Sequence, residues 1–173
     1  MIKSKQGMGV SQVFIFIIAA LTFALIMIFG YKIISEFLQR GEQVEFVQFK
    51  NELEGSIKKI YTEYGSTRLK EFNSPAKYTQ ICFVDMSKEY DPRLCPLDPV
   101  ACTVWENTAA GGGYDQVDEN VFLTPPAPVK IKVYQIHLNL PTDQNFLCLP
   151  IVNGRFSMVL EGKGDHTQIS DRE

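Results

Sequence analysis

The sequence predicts an α+β protein in which one long N-terminal helix, a transmembrane half followed by an amphipathic half, packs on a small antiparallel β-sheet head. Three observations predict it. Between Lys5 and Lys32 lie 26 consecutive residues without a formal charge, most of them Ile, Phe, Leu, Met and Ala. Phe46, Phe49, Leu53, Ile57, Ile60 and Tyr64 then recur at steps of three and four, the spacing of one helix face. From Arg68 onward the chain breaks into short apolar runs separated by Pro, Gly and Asn, the texture of strands and turns.

Residues 1–7, "MIKSKQG", read as a short basic cytoplasmic leader, and residues 8–31 as the transmembrane helix. At ~1.5 Å per residue the helix reaches roughly 36 Å, enough to cross a hydrocarbon core of about 30 Å. A helix buried in a soluble protein would carry a polar face, yet from Val13 to Phe29 only Thr22 interrupts the apolar run. A cleaved secretory signal would have an apolar region of roughly 7 to 15 residues and then a small-x-small site. Here Ala24 is followed by "LIMIFGYK", so the apolar run is expected to be retained. Lys3 and Lys5 before the span balance Lys32 and Arg40 after it, and basic residues alone do not orient it. The short leader and the domain-sized remainder favour a cytoplasmic N-terminus and an extracytoplasmic C-terminal domain.

Residues 32–66 continue the span as an amphipathic helix without proline. Glu54 with Lys58 and Glu36 with Arg40 stand at i, i+4 in the favourable order, each pair contributing about 0.2 to 0.5 kcal/mol. Gly41 and Gly55 each cost about 1 kcal/mol relative to alanine. The apolar register is lost between Leu38 and Phe46, so a bend or break is expected near Gly41, and Gly65 is the expected C-terminal stop.

Residues 67–173 form the β-rich head. "KYTQICFVDM" predicts a strand with Tyr78, Gln80, Cys82 and Val84 on one face and Thr79, Ile81, Phe83 and Asp85 on the other. Residues 87–120, rich in Cys, Pro and Gly, predict an irregular loop. "PAPVKIKVYQIHLNLP" predicts a longer strand with Lys132, Tyr134, Ile136, Leu138 and Leu140 along one side. "NFLCLPIVNGRFSMVLEG" predicts a hairpin, because Asn153-Gly154 suits a type I′ turn whose two central residues both need positive φ. A further turn at "EGKG" would return a short strand from Thr167 to Ile169.

All 20 acidic residues but only 15 of the 17 basic ones follow the span, leaving the exported part at −5. With no clustered Lys and Arg to neutralise phosphates, the composition argues against nucleic acid as a partner. Cys82, Cys95, Cys102 and Cys148 all lie on one side of the span, and an even count in an exported segment reads as two disulfides. Three pairings are open. The reading prefers Cys95 with Cys102, closing "CPLDPVAC", and Cys82 with Cys148, tying two strand-like segments. A zinc site is the rival, but the spacing lacks the short Cys-x2-4-Cys knuckle.

Catalytic chemistry finds little to build on. His137 shares a strand face with Gln135 and Asn139 and reads as a solvent-facing or locally hydrogen-bonded histidine. His166 has only its neighbour Asp165, and no G-x-S-x-G serine accompanies it. Asp115, Asp118 and Glu119 lack the order of a calcium loop, and Gly111, Gly112 and Gly113 lack the Lys-Ser or Lys-Thr of a phosphate-binding loop. The expectation is a non-enzymatic protein with no catalytic residue, metal ligand or cofactor assigned. Within the span, Ala20 and Ala24 form a small-xxx-small pair that would let another helix approach, and Gly9, Ser11 and Gln12 offer small or hydrogen-bonding groups near the cytoplasmic face.

The leader ending at Gly7, the apolar segment opening "MGVSQVFIF", the continuous helix and the β-rich C-terminal region together resemble a type IV pilin-like protein. That resemblance implies cleavage between Gly7 and Met8 by a prepilin-type peptidase on the cytoplasmic side, with the apolar segment kept. It further implies lateral packing of the helix with copies of itself or with related pilin-like subunits, after storage in membrane lipid. Gln12 occupies the fifth mature position, where the family commonly has an assembly Glu, and Gln6 replaces a frequent basic residue. The implied function is an exported, membrane-anchored surface protein, a subunit of a filament or of an adhesion or secretion apparatus. The alternative is a permanently anchored binding or accessory subunit of an envelope complex that does not polymerise.

Overall fold

The computed structural model describes residues 10–109, 115 and 117–171. Two compact units divide the chain, Met1–Gln43 and Val44–Glu173. The first, from Val10 on, is helical, and its large apolar side chains from Val13 to Leu38 are exposed. They belong to the helix α1, Val10–Tyr61, 52 residues without interruption. No break occurs at Gly41. A mid-helix glycine costs only about 1 kcal/mol, whereas a break would free several backbone N–H and C=O groups at each new end.

Among the described residues the second unit holds the remainder of α1 and seven strands: β1 (Thr67–Asn73), β2 (Gln80–Val84), β3 (Val121–Thr124), β4 (Ile136–Leu138), β5 (Phe146–Pro150), β6 (Arg155–Gly162) and β7 (Thr167–Ser170). Phe46, Phe49, Leu53, Ile57 and Ile60 of α1 are all buried, as their spacing predicts. Tyr64 is not: it is 83% exposed, because the helix has ended at Tyr61 and no longer carries the periodicity. Gly65 lies a few residues further on, at φ 76°, in the turn that leads into β1, where its N–H donates to the Gly162 carbonyl at 2.8 Å. Glu54 pairs with Lys50 rather than Lys58, whose ammonium lies 5.4 Å from the centroid of the Tyr134 ring.

Where one antiparallel sheet is expected, the described residues form two sheets. The larger has the order β1-β6-β7-β4, with β4 parallel to β7, and the smaller has the order β3-β2-β5, antiparallel throughout. Asn153 (φ 53°) and Gly154 (φ 71°) make the expected tight turn, closed by the bridge between Val152 and Arg155. Its two flanks then part, β5 to the smaller sheet and β6 to the larger, so the turn joins sheets rather than forming a hairpin ladder. The return strand β7 does pair with β6, Leu160 opposite Ile169.

The smaller sheet is covered on both faces. From β2, Ile81 and Phe83 enter a core shared with α1 and the larger sheet, while Cys82 and Val84 enter a second core with Leu94, Ala101, Trp105 and Val117. That explains why β2 is apolar on both faces instead of alternating with polar residues.

The second core requires a correction to the expected loop at residues 87–120, because Pro99–Ala109 is an α-helix, α2. Asp98 caps it, its Oδ1 accepting from the N–H groups of Val100 and Ala101 at 3.0 Å each, and Pro99 takes the first helical position, where no N–H is needed. The fully buried Trp105 then anchors α2. Just before it, the short 3-10 turn Pro92–Leu94 is fastened by Asp91, whose carboxylate accepts from Arg93 Nε at 2.8 Å and Nη2 at 2.6 Å. The Arg93 guanidinium beside Asp91 holds its carboxyl below the usual range. A depressed carboxyl contributes stability above its unfolded value of about 3.9 and loses it as pH falls through the folded value. The gap in melting temperature between the native and Asp91→Asn chains, followed by circular dichroism, is therefore expected to be widest near neutral pH. It should close below about pH 4.

The long strand expected over "PAPVKIKVYQIHLNLP" shrinks to the three residues of β4. Ile131 and Val133 are buried and Tyr134 is exposed, the reverse of the expected phase, before Ile136 restores it. A side chain causes the break. Asn120, fully buried, accepts from the Val133 N–H at 2.8 Å and donates to the Val133 carbonyl at 3.2 Å, so an amide replaces a strand partner there.

Candidate functional site

In the apolar segment, Ala20 and Ala24 stand one turn apart and both are exposed, with the Thr22 hydroxyl turned back to the Ala19 carbonyl at 2.9 Å. The helix from Val13 is long and apolar enough to cross a membrane by length and composition. Gly7 and Met8, the expected cleavage residues, lie outside the described residues, as do Gly9 and the triple glycine; Gln12 is in α1.

Both cysteine pairs are disulfides, Cys82–Cys148 and Cys95–Cys102. The first crosses from β2 to β5 at directly opposed positions, and the second closes the loop entering α2. The Tyr90 hydroxyl touches Sγ of Cys95 at 3.0 Å and of Cys102 at 3.1 Å, while its ring meets Trp105 edge-on. No thiol remains as a nucleophile.

Sequence spacing leaves the two histidines 29 residues apart, yet the fold brings them together. Parallel pairing of β4 with β7 sets Ile136 opposite Thr167 and His137 opposite Gln168. His166 directly precedes β7, delivered by a turn in which Gly164 has φ 92° and the Lys163 N–H donates to the His166 carbonyl. Both imidazoles thus emerge on the same side of the larger sheet, with ring centroids 4.3 Å apart and planes at 78°.

Each ring has a carboxylate on Nδ1, Asp85 Oδ2 at 2.8 Å for His137 and Asp165 Oδ1 at 2.6 Å for His166. The two carboxylates differ. Asp85, at the end of β2, is 3% exposed and its other oxygen accepts from the Ser87 N–H and hydroxyl, whereas Asp165 is 83% exposed. The hydrogen bond with His166 holds the Asp165 carboxyl below its usual range. Ser87 is turned to Asp85 rather than to a histidine, so these groups do not line up as nucleophile, base and orienting acid.

The acidic loop residues do not gather. Asp118 pairs with Lys130 at 3.1 Å, Asp115 is exposed, and burial pushes the Glu119 carboxyl up. Among the described residues no three His, Cys, Asp or Glu side chains form a ready-made metal cage. A recess of about 800 Å³ lies off the outer edge of β5, walled by Phe146, Cys148, Leu97, Asn139, Val159 and Ser170.

The histidine pair is what sequence reasoning missed. Its contact depends on a parallel pairing between segments with no shared local signal, and the only hint was that the chain has just two histidines. Compared with known proteins, the chain matches no family model, no curated protein and no solved structure.

Proposed function

We propose that the chain is a membrane-anchored, exported surface protein of pilin-like type, whose apolar helix serves first as anchor and then as stem in a filament or related envelope assembly. The observation that carries this reading is the single uninterrupted helix α1: apolar all round over its first part, then buried along one face only, under the β-rich unit. A helix apolar on every side needs lipid or other helices around it. Two disulfides support export to an oxidising compartment, and thus a cytoplasmic N-terminus.

In this reading the peptidase removes residues 1–7 with Lys3 and Lys5, so that the stem can leave lipid without dragging charge through it. The native protein is expected to begin at Met8 by intact-mass and N-terminal analysis, and Gly7→Phe is expected to leave the leader in place. Native chains that still carry Met1 to Gly7 would overturn the processing step.

A second reading has one observation in its favour. Gln12 is neutral, so the ion pair expected of a Glu at that position in assembly is unavailable. In that case the chain stays in the membrane as an accessory subunit. Filaments containing the chain by electron microscopy favour the first reading, and only monomers on gentle detergent extraction favour the second.

A further inference from the structure

We propose that His137 and His166 form a two-nitrogen binding site for a divalent transition metal, Cu²⁺ above all and Ni²⁺ next. With Nδ1 of each ring engaged by a carboxylate, Nε2 is the nitrogen each leaves for a ligand. This is the usual support of a metal-binding histidine: the carboxylate fixes the ring's orientation and raises the basicity of the far nitrogen. Here both rings have it, and the two anions also offset the charge of an incoming cation. The rings are 30% and 21% exposed, so an ion can reach them from solvent while Asp85 stays covered.

The separation of the rings suits a single shared ion, and the imidazole donors favour the metal. Two imidazoles bound at ~2.0–2.1 Å to one ion have centroids about 4.5 Å apart at a right angle and about 5.2 Å apart at a tetrahedral one. The observed 4.3 Å lies close to these separations, so one ion can be shared by the two rings. Tetragonal nitrogen and oxygen sites suit Cu²⁺ and Ni²⁺, and the general order of affinities places Cu²⁺ first. Because no third protein ligand is in place among the described residues, water fills the remaining positions, and the site is exchangeable rather than structural.

The experiment uses the full chain, free of any histidine tag, in detergent micelles with glycine present as a competing chelator. CuSO₄ is titrated by calorimetry and the product examined by electron paramagnetic resonance. One ion per chain with hyperfine coupling to two imidazole nitrogens is expected, and at least tenfold weaker binding in both His137→Gln and His166→Gln. His166 lies on a turn, so its variant keeps the native circular dichroism spectrum and isolates the ligand effect. Unchanged affinity in either variant, or no saturable binding by the native chain, overturns the site. Tighter binding of ZnCl₂ than of CuSO₄ overturns the choice of metal.

Discussion

Gly162→Ala is expected to destabilise the head by about 3 kcal/mol or more, seen as a fall in the urea midpoint of the full chain in detergent at unchanged slope. A methyl group on Gly162 would lie inside contact distance of the Ile60 and Glu63 carbonyl oxygens at the end of α1. Those are backbone atoms, so no rotamer change relieves the overlap. The same junction carries the bond from the Gly65 N–H to the Gly162 carbonyl and that from the Gly162 N–H to the Ser66 carbonyl. Pushing the helix end away would also strain the Thr167 hydroxyl, fully buried and donating to the Ile57 carbonyl at 3.1 Å. Gly55→Ala is the control. That glycine is exposed within α1 with open space around it, so the same change should stabilise by up to about 1 kcal/mol. Equal effects at the two positions would mean that the close approach of β6 to the helix end is not what requires glycine.

The close approach at Gly162 was invisible in the sequence for the same reason that the sheet arrangement was. The stripe Phe46, Phe49, Leu53, Ile57 and Ile60 is legible because helical burial repeats locally, and Asn153-Gly154 because a turn is specified by its own two residues. Which strands then pair is decided by contacts distant in sequence. β5 pairs with β2 and β6 with β1, partners that no window around residue 153 contains. The helix α2 is a different case, since Asp98-Pro99 is a helix-start signal of cap and first position. Surrounding Cys, Pro and Gly outweighed it, although Ala101 and Trp105, both buried, stand at helical spacing. For the candidate site only the chemistry was legible, two histidines and an adjacent Asp165; Asp85, which orients His137 from 52 residues away, came from the fold alone.

Removing the Cys82–Cys148 bridge is expected to cost about 4 kcal/mol, against about 2.5 kcal/mol for Cys95–Cys102, on the entropy of closing their loops in the unfolded chain. The sequence separations are 66 and 7 residues, which sets that order. Context widens the difference. Cys82 is fully buried at the centre of the smaller sheet, and its bridge holds β5, an edge strand of that sheet, directly against it. Cys95–Cys102 instead closes a turn already fastened by the Asp98 cap and by the edge-on contact of Tyr90 with Trp105. Paired Cys→Ala variants of the full chain, unfolded with urea in detergent, should therefore lose far more midpoint for the long-range pair. If both pairs cost the same, loop length is not what the long bridge contributes. If the long-range pair costs nothing, β5 is held by its main-chain ladder and by its buried Phe146, Leu147 and Leu149 rather than by the bridge.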